Sequence, residues 1–210
     1  MEGGKSMKEE KETKERLLIS AKKEFAEKGY LQASLRNICK NAGVTTGALY
    51  FFFKDKEDLF AAIVEEPLQC LYKIMNEHYA YEITHGEGKI HDGEVDPVDQ
   101  DATNQIIHIL YQHYDEFQVL LTKAQGSRYE KCVDEFVKIS EHHYRVLADR
   151  ITNEQGFPPV EDYMIHWISH LQVDVFVHLC THEKDEAAAV RHMNSIVKFM
   201  VAGWTALFVE

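Results

Sequence analysis

The 210-residue chain is poor in the features that would staple it, let it span a membrane or alternate. Its four cysteines, Cys39, Cys70, Cys132 and Cys180, are far apart among apolar neighbours. No Cys-x-x-Cys pair exists, so neither a zinc knuckle nor a disulfide framework is expected, and the thiols should be reduced. The longest apolar run, 199–209, is about half of what a bilayer needs, and no secretory leader is recognisable. A cytoplasmic location follows as the expectation. Strand-like alternation is missing, and only four prolines interrupt the chain. No nucleophile–base pair, phosphate-cradling glycine loop or His-Glu-x-x-His motif is present, so an enzyme is not expected. No cofactor is implied and no metal site is assigned. Asp92, Glu94 and Asp96 imitate the start of a calcium loop, but Pro97 and Thr103 stand where its glycine and final glutamate belong.

Charge is distributed unevenly. The net charge is −12, yet residues 1–60 carry 12 Lys and Arg against 10 acids, and residues 61–210 carry 11 against 25. The excess of acid therefore lies outside the first 60 residues, which are left free to meet a polyanion.

Those residues contain the densest cluster of helix signals. Glu15 to Lys28 reads as an amphipathic helix with Leu18, Ala21 and Phe25 on one face; Gly29 is placed to end it in the left-handed conformation. Tyr30 can fold back onto it. Ser34 can cap a short helix through Lys40, with Leu35, Ile38 and Cys39 inward. Asn41-Ala42-Gly43-Val44 supplies a turn, and Gly43 tolerates positive φ. Thr45 caps a second short helix whose packing side is Ala48, Leu49 and Phe52. Asp55 caps a third, with Asp58 forming an approximate capping box. Helices this short persist only when packed, and a steeply angled pair is the arrangement that carries a helix N-terminus into a DNA groove.

In order and spacing, Phe25-x-x-x-Gly29-Tyr30, Ala42-Gly43-Val44, Gly47-x-Leu49-Tyr50 and Phe53-Lys54-x-Lys56-x-x-Leu59 resemble the N-terminal domain of the TetR family of bacterial transcriptional regulators. The likeness covers roughly residues 14–64. It implies an all-α fold: an N-terminal three-helix domain with a helix-turn-helix, then a C-terminal helical ligand-binding and dimerisation domain. The expected division is a flexible arm at 1–13, a DNA-binding domain at 14–60 and an effector and dimer domain at 61–210. Carried over by position, DNA contacts fall on Arg36, Thr45, Thr46, Gly47, Tyr50, Phe51 and Lys56. Tyr50 and Lys56 suit phosphates, Gly47 permits close backbone approach, and the threonines can reach phosphates or base edges. The chain departs from the family pattern at Phe51 and Phe52, which lack the hydroxyl or imidazole common there.

Beyond residue 60 the pattern stays helical. One helix should run from Lys56 to about Tyr81, with Pro67 marking either a kink or a boundary between two helices. Residues 83–101 read as a loop. Further helices are expected near 103–114, 116–123, 127–152, 161–181 and 184–210. The last carries Val190, Met193, Val197, Met200, Trp204 and Leu207 close to a 3.5 period, and Ile196, Val201 and Phe208 widen it. The family resemblance implies that the last two helices form a homodimer, setting two recognition helices one DNA turn apart (about 34–36 Å) on a near-palindromic operator in double-stranded DNA.

Twelve histidines are unusual for this length. His166, His170, Asp174, His178 and His182 recur every four residues but drift about 40° per step, so all five cannot share one face. His78, His113, His143 and His178 each fall on the expected inward side of a different helix. The family encloses a small-molecule effector among its central helices, and Tyr72, Tyr79, Tyr114, Trp167 and Gln172 join these histidines as candidate walls. The resulting expectation is a ligand-responsive DNA-binding regulator, a repressor released by its effector. The alternatives are a metal-sensing regulator of the same fold, or an architectural or protein-partner DNA-binding factor without an effector.

Overall fold

A computed structural model of the chain describes residues 3–85 and 95–208, with side chains from Met7 onward. The described residues form nine helices and no strand. They are α1 (Gly3–Gln32), α2 (Leu35–Ala42), α3 (Thr46–Phe52), α4 (Lys56–His85), α5 (Pro97–Gln112), α6 (Tyr114–Lys123), α7 (Cys132–Gln155), α8 (Asp162–His182) and α9 (Glu186–Thr205). The all-α expectation holds.

Two compact units share this chain: residues 1–68 with 113–132, and residues 69–112 with 133–210. The division crosses α4 after Leu68, one residue beyond Pro67, which is buried inside a helix continuous from Lys56 to His85. A boundary between two helices at that proline is therefore excluded. The pyrrolidine removes one helical donor at that point.

In the first unit, Leu17, Ala21, Phe25, Ile38, Leu49, Leu59 and Phe60 are fully buried. Phe25 meets Phe60 edge-on at 5.0 Å, a favoured aromatic geometry, and Tyr30 stacks back on Phe25. α6 packs on α1 through this same core, contributing buried Phe117, Val119 and Leu120. Sequence reasoning assigned everything after residue 60 to the second domain; residues 113–132 instead group with the head. Their apolar side continues the head's core, as the contact of Tyr129 with Phe60 at 5.9 Å illustrates.

Three local expectations change. The N-terminal arm is helical from Gly3: Met7 to Glu12 are strong helix formers, and Lys8 pairs with Glu12 one turn on. Gly29 has φ 73° but ψ 163°, so it breaks α1 in a region open essentially to glycine alone rather than in the left-handed helical well. α5 begins at Pro97, six residues early, because Asp96 accepts from the Val98 N–H at 2.7 Å and proline suits the first helical position. In addition, residues 127–131 form turns and α7 starts at Cys132. Of the imitation calcium loop, Asp92 and Glu94 lie outside the described residues.

In the second unit α5 packs on α8 and α9. Ile107, Leu179, Ala189 and Met193 form one buried cluster, with Val190, Ile196 and Val197 against it. Ala148, Ile151, Ile165 and Phe208 form another, with Trp204 and Leu207 against it. The broad apolar pattern of the last helix is thus mostly covered by its own unit. What remains outward on α9 is Phe199, 69% exposed, beside exposed Ala202 and Ala206. On α8, Tyr163 and Trp167 point outward as well.

Candidate functional site

The head presents α3 through a set of small polar braces. Ser34 accepts from the Asn37 N–H and caps α2. Buried Glu24 reaches across to accept from the Ser34 N–H and the Asn37 amide. Ser20 donates to the Ile38 carbonyl at 2.9 Å. Gly43, at φ 67° and ψ 36°, closes α2 with its N–H on the Cys39 and Lys40 carbonyls. That left-handed cap allows the chain to turn within two residues. Thr45 then accepts from the Ala48 N–H at 3.2 Å, and α3 begins. Its inner side is Leu49, with Phe53 buried just beyond the helix end.

The opposite side of this turn and helix is open. Arg36, Thr45, Thr46, Gly47, Tyr50 and Phe51 are all exposed, Tyr50 by 56% and Phe51 by 70%. Phe52 is half-buried and lies edge-on to Phe51. Beyond that edge-on contact, the Phe51 ring faces solvent. Gly47 is equally free of internal demand: an added Cβ would meet only the Thr45 hydroxyl, at 3.8 Å.

Lys56 is placed differently from its expected companions. Its ammonium donates to the carbonyls of Tyr30, Leu31 and Ala33 at 2.8, 3.2 and 3.4 Å, and lies 4.6 Å from the Tyr30 ring centroid. All three of its N–H bonds are thereby committed at the C-terminal end of α1, where carbonyls lack helical partners. It is not available to a phosphate in this arrangement. Lys54, which sequence reasoning passed over, is exposed at the start of α4, its backbone N–H held by Asp58 at 2.9 Å. Asp58 in turn donates its N–H to Asp55, completing the expected cap. The signal for Lys54 lay in its position one residue before that cap.

The second unit brings together four of the nine residues proposed as effector walls. Tyr79 on α4 stacks on His143 of α7, ring centroids 3.9 Å apart and 8° from parallel. The Tyr79 hydroxyl lies 3.0 Å from that of Ser140 and donates to Gln172 at 3.2 Å. Burial pushes Tyr79 up to about 12. His78, one residue before Tyr79, points to Glu82 at 3.2 Å and Asp99 at 3.6 Å. His143 contacts the same Glu82 oxygen at 2.7 Å. Burial, with Glu82 and Asp96 adding repulsion, pushes the Asp99 carboxyl up to about 7, and burial pushes the His78 imidazole down. Tyr79 and His143 also line a groove of about 420 Å³ with Asn76, Ile83, Glu135 and Lys138.

The other five do not join them. His113 and Tyr114 begin α6 in the first unit, His113 as its N-cap. His178 is exposed and stacks on His182 at 4.1 Å. On α8 the buried stripe is Ile165, Ile168, Ser169, Val173, Leu179 and Cys180; at 100° per residue His178 and Trp167 fall on the opposite side. Trp167 is 49% exposed. Tyr72 is half-buried against Phe136, at 5.0 Å. Glu82 and Asp99 were missed, although His78 and Glu82 stand one turn apart on one face of α4.

These features define a helix-turn-helix head joined to an all-helical body. Comparison with known proteins agrees. Residues 17–63 match the bacterial regulatory proteins of the tetR family. The HTH-type transcriptional repressor BepR of Brucella suis biovar 1 is 47% identical over 53 residues, which are 25% of this chain and 25% of BepR. The match thus spans only about a quarter of that relative. A transcriptional regulator (TerR/AcrR family) from Aquifex aeolicus VF5 aligns over 90% of this chain and 99% of its own, with a TM-score of 0.59 and 21% identity. A gamma-butyrolactone receptor (ArpA-like protein) aligns over 94% and 98%, with a TM-score of 0.58 and 19% identity. Residues 17–63 thus carry a tetR-family head, and over its length the chain shares the fold of these solved structures. No helix of the described residues is long and apolar enough to cross a membrane.

Proposed function

We propose that this protein is a ligand-responsive, DNA-binding transcriptional regulator that represses from a near-palindromic operator and is released by an effector. The observation that carries the proposal is the outward face of the turn and α3, where Thr45, the helix cap, and Thr46, Gly47, Tyr50 and Phe51 all stand exposed. Phosphates are taken by Tyr50, Lys54, Arg36 and the helix N-terminus. Bases are read by Thr45, Thr46 and the Phe51 ring, which suits a thymine methyl.

Residues 14–60 are the DNA-binding part, and effector binding and dimerisation reside in the remainder. The homodimer forms through α8 and α9, whose outward Tyr163, Trp167 and Phe199 need a cover. An isologous pair supplies two heads for two half-sites. Effector binding shifts the dimer toward a state whose heads no longer fit the half-site spacing. The protein acts in the cytoplasm, and no catalytic role is assigned to it.

Selection of bound sequences from a random duplex pool, followed by footprinting of the winners, tests this. A near-palindrome with half-sites about one turn apart is the expected result. Equal affinity for selected and scrambled duplexes at moderate salt would sink the proposal.

A further inference from the structure

We infer that the body of this protein holds a divalent transition-metal ion of the zinc class, bound by His78, Glu82 and Asp99 and positioned by His143. The inference adds an effector class to the regulator proposed above.

The donor set is mixed and comes from three helices: His78 and Glu82 from α4, Asp99 from α5 and His143 from α7. One nitrogen and two carboxylate ligand atoms of His78, Glu82 and Asp99 all lie within 4.8 Å of one another. The His78 Nε2 separations of 3.2 and 3.6 Å to Glu82 and Asp99 match the spacing of tetrahedral ligands. That spacing is about 3.3 Å when each bond is about 2.0–2.1 Å.

Without an ion the cluster is poorly matched to itself. A neutral imidazole has one N–H. If His78 donates from Nε2 to Glu82, it has no N–H left for Asp99; its buried Nδ1 lacks a partner in either state, as an acceptor here or as an N–H once Nε2 holds an ion. Asp99 is then left facing a hydrogen already directed at Glu82. His143, whose side chain is only 4% exposed, repeats the pattern: Nε2 on Glu82, Nδ1 buried and unpartnered. Among the described residues the ion-pair partners of both carboxylates are histidines alone. A divalent ion taking the His78 Nε2 lone pair and one oxygen from each carboxylate uses all three at once. It also neutralises two partly buried acids. His143 then remains the donor that orients Glu82, the outer-shell role that ligating carboxylates usually require. Imidazole with two carboxylates suits zinc, cobalt or nickel over calcium or magnesium, which take oxygen alone.

The full chain, purified and stripped with chelator, is titrated with Zn(II) or Co(II) in the absence of DNA. Stoichiometry is read by native mass spectrometry and geometry by the visible Co(II) spectrum. One ion per chain with a tetrahedral Co(II) spectrum is expected. Asp99→Asn, at a partly exposed position, should abolish stoichiometric binding while its melting curve in chelator stays at least as high as that of the parent. His143→Ala, which keeps the ligands, should weaken binding about 10–100-fold. Surface histidines are the competing source, so His166→Gln with His170→Gln serves as the control and should change neither stoichiometry nor spectrum. The inference is overturned if Asp99→Asn and His78→Gln still bind one ion as the parent does, or if the control removes it. DNA selection is scored separately, so a metal-free regulator and a metal-binding chain that ignores DNA are distinguishable outcomes.

Discussion

Lys56→Met separates two roles that a lysine at the start of α4 can play. In this protein its ammonium joins the end of α1 to the start of α4 through the carbonyls of Tyr30, Leu31 and Ala33 and the face of the Tyr30 ring. Methionine keeps the apolar stem and removes only the cation. Water can reach the exposed Leu31 carbonyl, so the lost hydrogen bonds cost about 1.5–2 kcal/mol rather than three full charge-assisted bonds. The cation–π contact adds about 0.5–1 kcal/mol. The head should therefore lose about 2–3 kcal/mol, equivalent to about 30–140-fold faster amide exchange if α2 and α3 exchange by opening of the head. Both tryptophans, Trp167 and Trp204, lie in the other unit, so fluorescence would miss the change. Hydrogen exchange of α2 and α3 amides is the assay that sees it. Lys54→Ala provides the contrast: exchange should stay put, while DNA affinity falls on all sequences and the salt slope drops by about one. If Lys56→Met left exchange unchanged and instead lowered the salt slope, its ammonium would be a phosphate contact and the bracing role would be wrong.

Gly47→Ala should stabilise the head by about 0.5–1 kcal/mol, because alanine is the better helix former and its Cβ meets nothing closer than 3.8 Å. The same change should weaken DNA binding; unimpaired binding would show that the duplex never approaches that backbone. Gly126→Ala should cost several times more than Gly156→Ala in a denaturation series. Both have positive φ, but at 126 the new Cβ would sit 2.2 Å from Leu31 Cδ2, whereas at 156 nothing lies within 4 Å. Equal losses would mean that Leu31 moves freely aside. Phe199→Glu, on the outward side of α9, should convert a dimer to monomers in sedimentation velocity without lowering helicity. A dimer of undiminished affinity would place the interface elsewhere.

The head was legible because its signals are local. Ser34, Gly43, Thr45 and the Asp55/Asp58 pair each act on backbone within four residues, and each does in the structure what its chemistry requires. Lys56 shows the limit of that legibility. Its position matched the family's phosphate contact, but its acceptors lie 23 to 26 residues away, and no local rule reports them. Gly29 shows a subtler limit: glycine announces positive φ, whereas ψ is set by how the next segment packs.

The body was less legible because helical periodicity gives a face without saying which neighbour covers it. His78 and His143 were placed inward from their own helices and do lie inward. His178 was placed by the same argument and faces out, because the apolar content of α8 nearly encircles it and only packing selects the buried side. His113 fell to a different error, since α6 packs on α1 and carries that residue into the head unit. Asp99 was lost through one misplaced helix start. Proline and acidic residues around position 97 have the composition of a loop, but proline at the first helical position and Asp96 as cap have that composition too. Starting α5 at Pro97 rather than Thr103 adds six residues of helix and sets Asp99 within reach of His78. Two of the three proposed ligands share one turn of α4, and the third depends entirely on where α5 begins.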